Sequence, residues 1–353
     1  VAKVLSLFSG SLASRVATRV VERHPDVDCV YLLYFRSPFS RESDGLRQLV
    51  RSEWPHAIFR TQSIKKDYRR LVEVTDEGEF SLSLSCYSCR SLLFGKAVRY
   101  MERIGAEYIV SGEVPGACRL TAKQLRGIAE DLGVADRILR PLCADSSRSK
   151  VHGLEKWLDC NQDGRRPRGG GRAIVRKLAG DVGLELADPL ASCHRCKLMT
   201  PGFGERVASL FGEPGFTLNA LRLLDFPLYY KVRPDVKIVL ARDEREKREL
   251  QNLFLPQDLR VYPATPHGPM TLVRTSWNEK GLEEQQTIVG LAARITATFA
   301  YAKRTETVPI YYRHENEDET LLLNAIPFDS PAEIAQLGCV EMIPIAEQEV
   351  LLG

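Results

Sequence analysis

Thiols account for much of the chemistry this chain can do. Two Cys-x-x-Cys pairs occur, Cys86-Tyr87-Ser88-Cys89 and Cys193-His194-Arg195-Cys196. Thiols at that spacing suit a tetrahedral site for zinc or an iron–sulfur cluster, and equally a redox dithiol or a persulfide sulfur carrier. Cys86 and Cys89 flank the start of a helical pattern, where the helix dipole is expected to lower a thiol pKa. The two pairs form one site of Cys86, Cys89, Cys193 and Cys196 only if the fold joins them; otherwise each acts alone. His194 reads as a solvated linker residue. There are nine cysteines in all, an odd number that argues against a disulfide framework. Cys29, Cys143 and Cys339 sit in apolar runs and are expected in the core, while Cys118 and Cys160 take no assigned role.

A second segment with chemical potential is Ser9-Gly10-Ser11-Leu12-Ala13-Ser14, between an apolar run and a helical pattern. Small residues let backbone amides approach an anion, serine hydroxyls donate to phosphate oxygens, and a helix N-terminus adds N–H groups and a favourable dipole. The same residues would also serve an ordinary strand-to-helix turn with a serine cap. Gly112-Glu113 ends another strand-like run. The glycine permits close backbone approach, and the glutamate suits a metal, a ribose hydroxyl or the capping of the next turn. Phe35 closes an apolar run and faces either an adenine ring or the core. Arg165, Arg166, Arg168, Arg172, Arg176 and Lys177 lie in a stretch without acids, which suits RNA phosphates or a solvated basic loop. Arg242–Glu249 reads as a solvated helix face with charge pairs, and His267 and Trp277 as structural residues.

Alternating strands and helices are needed to position these groups. Val4–Phe8 reads as a buried strand running directly into the serine loop. Leu12, Val16 and Val20, four apart, mark the first helix. Asp28–Phe35 is a second buried strand; Leu46, Leu49 and Val50 belong to a helix, and Ala57–Arg60 to a short strand. Leu92, Leu93, Ala97, Met101 and Ile104 predict an amphipathic helix over Ser91–Ile104, followed by a strand at Tyr108–Val110. Thr121 caps a helix carrying Leu125, Ile128 and Leu132, and Arg137–Cys143 closes the series. Repeated β–α units imply a parallel sheet covered on both faces, with ligands at the carboxyl ends of the strands. That rule gathers Ser9–Ser14, Phe35, Cys86–Cys89 and Gly112-Glu113 at one rim.

Residues 1–147 are thus read as an α/β domain, and residues 148–187 as a polar connector with a basic helix from about Arg172. Residues 188–353 are read as an α+β domain. Its strands are expected at Val236–Ala241, Met270–Arg274, Pro309–Tyr312 and Glu319–Asn324, and its helices at Arg242–Leu253 and Gln285–Tyr301. A length of 353 residues accommodates two domains. With 44% hydrophobic and 27% charged residues, the composition is that of a soluble globular protein. No apolar run reaches the roughly 18 residues that span a bilayer, and the N-terminal run is too short for a signal peptide. The expectation is a cytoplasmic protein with no membrane partner.

Several blocks carry a family resemblance. Ser9–Ser14 resembles the S-G-G-x-D-S PP-loop of ATP pyrophosphatases, the adenine nucleotide alpha hydrolase-like group that includes tRNA thiouridine synthetases. It departs from the pattern at Ser11, in place of the second glycine, and at Ala13, in place of the aspartate. Cys86–Cys89, the helix after it, and Gly105–Gly116 (GAEYIVSGEVPG) are similar to the thiouridylase-like order of C-x-x-C, helix and a strand ending in Gly-Glu. Arg140-Pro141-Leu142 matches the end of that domain. Cys196-Lys197-Leu198-Met199-Thr200 with Phe203, and Lys237–Glu244, resemble an NFACT-type RNA-binding module.

The resemblance implies a PP-loop α/β domain fused to an α+β module and acting as an ATP-dependent RNA sulfurtransferase, with tRNA as the expected substrate. ATP and Mg²⁺ would sit at Ser9, Gly10, Ser11, Leu12 and Ser14, with Phe35, Gly112 and Glu113 alongside. The enzyme would adenylate a nucleobase carbonyl, and the catalytic cysteines Cys86 and Cys89 would deliver sulfur from a cluster or a persulfide. Cys86, Cys89 and Cys196 would be cluster ligands, supplied by sulfide or a sulfur-donor protein; Cys193 as a fourth would instead close a structural site, with zinc as the alternative metal. Ala13 motivates a second reading, a non-catalytic RNA-binding protein with a degenerate loop and a structural metal. A third reading is sulfur or metal handling without RNA.

Overall fold

The computed structural model describes residues 2–40, 45–114, 120–142, 171–186, 196–211, 216–232, 235–265, 267–300, 306–337, 340–341 and 343–344. The chain divides into two compact units, Val1–Met199 and Thr200–Gly353.

The first unit is a parallel sheet of β1 (Ala2–Leu7), β2 (Val27–Arg36), β3 (Ile58–Ser63), β4 (Tyr108–Ser111) and β5 (Ile138–Leu139), in the order β3-β2-β1-β4-β5. Alternation along β1 decides its packing. Val4 faces one core together with Phe8, and Leu5 faces the other. The first core is filled by α1 (Leu12–Glu22), α2 (Gly45–Glu53) and α5 (Gly171–Asp181), through Val16, Val20, Leu46, Val50, Val175 and Ala179. The second is filled by α3 (Leu82–Ile104) and α4 (Ala122–Asp131), through Phe94, Ala97, Met101, Leu125 and Ile128. Fully burying a side chain such as Phe94 or Met101 contributes about 1.5–3 kcal/mol. Thr121 caps α4 in a reciprocal box with Gln124, as its sequence signature predicts. The basic helix of the presumed connector, α5, packs as a layer of this unit, and Arg23 donates to the Val182 carbonyl at its end, 2.8 Å.

In this order, β2 lies on one side of β1 and β4 on the other. The chain therefore reverses its direction of winding between β1 and β4, and the carboxyl ends of those two strands flank a crevice.

The second unit carries an antiparallel sheet in the order β11-β10-β8-β9-β7-β6-β12. Its strands are β6 (Leu228–Val232), β7 (Val236–Ala241), β8 (Leu259–Pro263), β9 (Met270–Arg274), β10 (Val308–His314), β11 (Leu321–Ala325) and β12 (Val340–Glu341). Its helices are α6 (Phe203–Leu210), α7 (Leu218–Leu223), α8 (Glu244–Gln251), α9 (Leu282–Thr298) and α10 (Pro331–Gln336). Ile288, Ala292 and Ile295 of α9 fill the core over Ile238, Val261 and Val273. The charged α8 is capped by Asp243 and laced by Arg242–Glu246 and Arg245–Glu249 pairs, a solvated face as its alternating charges predict. His267 is exposed, and Trp277 is buried edge-on against His314. Among the described residues no helix is long and apolar enough to cross a membrane.

Arg206 is the buried polar keystone of this unit, 1% exposed. Its guanidinium donates to the carbonyls of Ile343, Leu224, Phe226 and Pro227 at 2.5–3.0 Å. Three of these, Leu224, Phe226 and Pro227, lie just past α7, where carbonyls lack intrahelical partners. Burial lowers the Arg206 pKa to about 10, with Tyr229 and Asp225 opposing that shift. Substituting Arg206 by methionine keeps the volume but orphans four carbonyls, and is expected to cost about 3 kcal/mol. Chemical denaturation of the two proteins measures the difference.

Candidate active site

The serine loop lies at the carboxyl end of β1, beside the crevice. Gly10 has φ +84°, a left-handed conformation that strains any side chain. Ser11 is the N-cap of α1 and accepts from the Ser14 amide. The hydroxyls of Ser9, Ser11 and Ser14 converge: Ser9 to Ser11 is 3.0 Å, Ser9 donates to Ser14 at 3.2 Å, and Ser11 donates to Ser14 at 3.4 Å. The first-turn amides of α1 have no intrahelical acceptor. A compact group of donors thus sits at the positive end of a helix, where an anion is favoured. Leu12 and Ala13 contribute backbone, since their side chains lie against the first core.

Gly112 closes the crevice from the β4 side. A Cβ at this position would lie 2.7 Å from Ser14 Cα and 2.8 Å from the carbonyl carbon and oxygen of Ala13. The loop and the end of β4 therefore touch backbone to backbone, as expected of a glycine permitting close approach. Glu113 is buried and held by two arginines, Arg90 Nε at 3.0 Å from Oε1 and Arg140 Nε at 3.0 Å from Oε2. Arg140 also donates to the Leu125 carbonyl at 3.0 Å. Glu113 is thus the centre of an ion-pair clamp, with the Arg90 guanidinium facing one carboxylate oxygen and Arg140 hydrogen-bonded to the other. Phe35 packs against the second core, as does Cys86.

The first cysteine pair lies within α3. That helix begins at Leu82, with Ser81 as its cap, so Cys86 and Cys89 occupy interior turns instead of flanking its start. The dipole expectation fails accordingly. The Cys89 pKa is raised: burial dominates, Arg90 opposes it and Cys86 adds to it. Cys196 comes to the same place from the far end of the unit. The Lys197 amide donates to the Phe39 carbonyl at 2.8 Å, tying this segment to the loop after β2. Burial pushes the Cys196 thiol up to about 12, the amides of Leu198 and Met199 counteract this, and Cys89 and Cys86 raise it further.

Cys86, Cys89 and Cys196 thus influence one another electrostatically, all half-buried. Among the described residues no three His, Cys, Asp or Glu side chains are placed to hold one metal ion. As placed, the three thiols form a coupled group and not a coordination shell. Cys193, Cys143, Cys339, Cys118 and Cys160 lie outside the described residues, and Cys29 is half-buried on β2 and not in the core. Arg165, Arg166 and Arg168 also lie outside them; Arg172 is in α5, and Arg176 and Lys177 are exposed there. Sequence reasoning missed Arg90 and Arg140, although one follows the C-x-x-C directly and the other opens the Arg-Pro-Leu block.

A neutral buried thiol has a thermodynamic signature. Because the folded Cys196 pKa is raised from 9.0 to about 12, its contribution is complete below about pH 9 and is lost as pH rises toward 12. The stability gap between the native chain and Cys196→Ala is expected to narrow from pH 8 to pH 10.5 in urea titrations. A gap independent of pH would contradict this.

Comparisons with known proteins can be set against this geometry. Residues 229–334 match the family model of the NFACT protein RNA binding domain. No curated protein matches the chain. Among solved structures, the chain is similar to the C-terminal part of the fibronectin/fibrinogen-binding protein from Streptococcus suis, at 13% identity and TM-score 0.25, covering 45% of this chain and 76% of that one. It is similar to a 4-thiouridine synthetase in complex with RNA and bound ATP, at 22% identity and TM-score 0.33, covering 52% of this chain and 50% of that one. NMN synthetase from Francisella tularensis matches at 13% identity and TM-score 0.25, covering 61% and 88% respectively. The chain thus matches half the length of the 4-thiouridine synthetase.

Proposed function

We propose that the chain is an ATP-dependent RNA sulfurtransferase, with the parallel-sheet unit performing the chemistry and the 229–334 domain holding the RNA. One observation carries the reading. The serine loop, Gly112, the Arg90–Glu113–Arg140 clamp and the thiols Cys86, Cys89 and Cys196 are linked by successive contacts and electrostatic couplings. Reading the loop as a PP-loop, with its departures at Ser11 and Ala13, places the phosphates of ATP against the Ser9, Ser11 and Ser14 hydroxyls and the first-turn amides of α1. Adenylation converts a nucleobase carbonyl oxygen into a leaving group, with loss of pyrophosphate. A sulfane-sulfur donor loads one thiol as a persulfide, whose outer sulfur attacks that carbon while AMP departs. A second thiol then closes a disulfide with the first, leaving sulfur on the base; an external thiol resets the pair. Arg90 supplies the nearby positive charge that favours the anionic sulfur.

If a cluster or zinc is bound, Cys86, Cys89 and Cys196 are the residues to hold it, with Cys193 as the additional thiol. Among the described residues these thiols do not form a coordination shell. The test is incubation of the full chain with Mg²⁺, ATP and unfractionated tRNA. Formation of AMP and pyrophosphate that depends on RNA supports the reading; no AMP with any RNA would sink it. Ala13 favours a second reading, in which the loop without its acid leaves an RNA-binding protein. RNA affinity untouched by ATP, with no AMP formed, would favour that one.

A further inference from the structure

Beyond the rim, α3 carries an unassigned cationic stripe. Cys89, Lys96 and Arg103 are spaced by seven residues, two helical turns each, so they fall on one line of the helix. Lys96, Arg99, Tyr100 and Arg103 line a depression of about 250 Å³, with Gln62 of the edge strand β3 as its other wall. Lys96 pairs with Asp67 at 3.1 Å, and the Arg103 guanidinium lies 4.8 Å over the Tyr100 ring. Arg99 and Arg103 are exposed. The neighbouring segment adds the exposed Arg60, Lys66, Arg69 and Arg70.

Resting on the RNA reading above, we propose that this face of α3 and the β3 edge is a track for the phosphate backbone of the RNA substrate, leading toward the Cys89 thiol. Guanidinium groups bind phosphate in a fixed fork geometry. Tyr100 offers a ring face and Gln62 an amide, groups that suit a nucleotide better than an acidic protein surface. By helical rise, Lys96 and Arg103 lie about 10 and 21 Å along the axis from Cys89. An RNA strand on the stripe therefore extends from the thiols along the length of the helix, on the sheet face opposite α2.

The experiment compares the full chain with Arg99→Glu/Arg103→Glu in binding unfractionated tRNA over a salt series. Arg47→Glu/Arg51→Glu on α2 makes the same charge change at exposed positions on the other face of the sheet. The expected result is a roughly tenfold affinity loss and a salt slope shallower by about 1.5 for the α3 variant, corresponding to about two lost phosphate contacts. The α2 control is expected to change little. Equal losses in both variants, or an unchanged α3 variant beside an RNA-binding wild type, would overturn the track while leaving the RNA reading intact. Retained RNA binding with loss of an acidic protein partner would also overturn it. A wild type that binds no RNA at low salt would remove the RNA reading itself, and the track with it.

Discussion

Replacing Gly112 by alanine is expected to abolish nucleotide binding by the parallel-sheet unit and to destabilise it by about 1–3 kcal/mol. The added carbon would meet Ser14 Cα at 2.7 Å and the Ala13 carbonyl at 2.8 Å. These are backbone atoms, so no side-chain rotation relieves the overlap. Either β4 withdraws or the first turn of α1 shifts, and both movements open the crevice and scatter the hydroxyls of Ser9, Ser11 and Ser14. Calorimetric titration with ATP, together with urea denaturation, measures the two effects. Native-like ATP affinity in the alanine variant would show that the loop does not bind phosphate at this crevice.

The second large effect concerns Glu113. Its carboxylate is 3% exposed and bridges Arg90 and Arg140, which are 29% and 15% exposed. Removing the acid leaves two cations side by side with nothing between them. Breaking a buried pair costs about 3–5 kcal/mol, and the partial exposure of Arg90 places this case at the lower end, near 3 kcal/mol. Glu113→Ala is therefore expected to shift the urea midpoint strongly, and Arg90→Ala less so, because Arg140 still neutralises the carboxylate. A Glu113→Ala protein as stable as the native one would mean that the clamp contributes nothing.

The helices and strands that carry a clean period were legible in the sequence. β1, α1, β2 and α4 fall where apolar runs, four-residue spacing and the Thr121 cap put them. The start of α3 was not legible, because Leu82–Arg90 is rich in serine and lacks an apolar stripe. Its Ser85 is buried and accepts from the Glu73 amide at 2.8 Å, a tertiary contact that no local pattern announces. In the second unit, β6 and β8 escaped notice because Lys231, Arg260 and Pro263 interrupt their apolar character.

The site divides along the same line. The serine loop and Gly112 were readable because their roles are set by local backbone demands. The glutamate clamp was not, since Arg90, Glu113 and Arg140 meet only when α3, β4 and β5 are assembled. The thiol pKa went the opposite way from the dipole argument because burial outweighs a helix-end effect once the cysteines are inside the helix. Cys196 lies in a segment tied to the loop after β2 by the Lys197–Phe39 backbone hydrogen bond, a tertiary contact that spacing alone could not supply.

The most direct measurement is sulfur incorporation into RNA. The full chain, purified without oxygen, is incubated with Mg²⁺, ATP, a labelled persulfide (sulfane-sulfur) donor, a dithiol to reduce the disulfide left after transfer, and unfractionated tRNA, and the RNA is digested and its nucleosides weighed by mass spectrometry. The expected result is a thiolated nucleoside that requires ATP and is lost in both Cys86→Ser and Cys196→Ser, since the two thiols act at one rim. Thiolation that survives either substitution, or RNA that binds and never gains sulfur, would contradict a thiol-dependent sulfurtransferase.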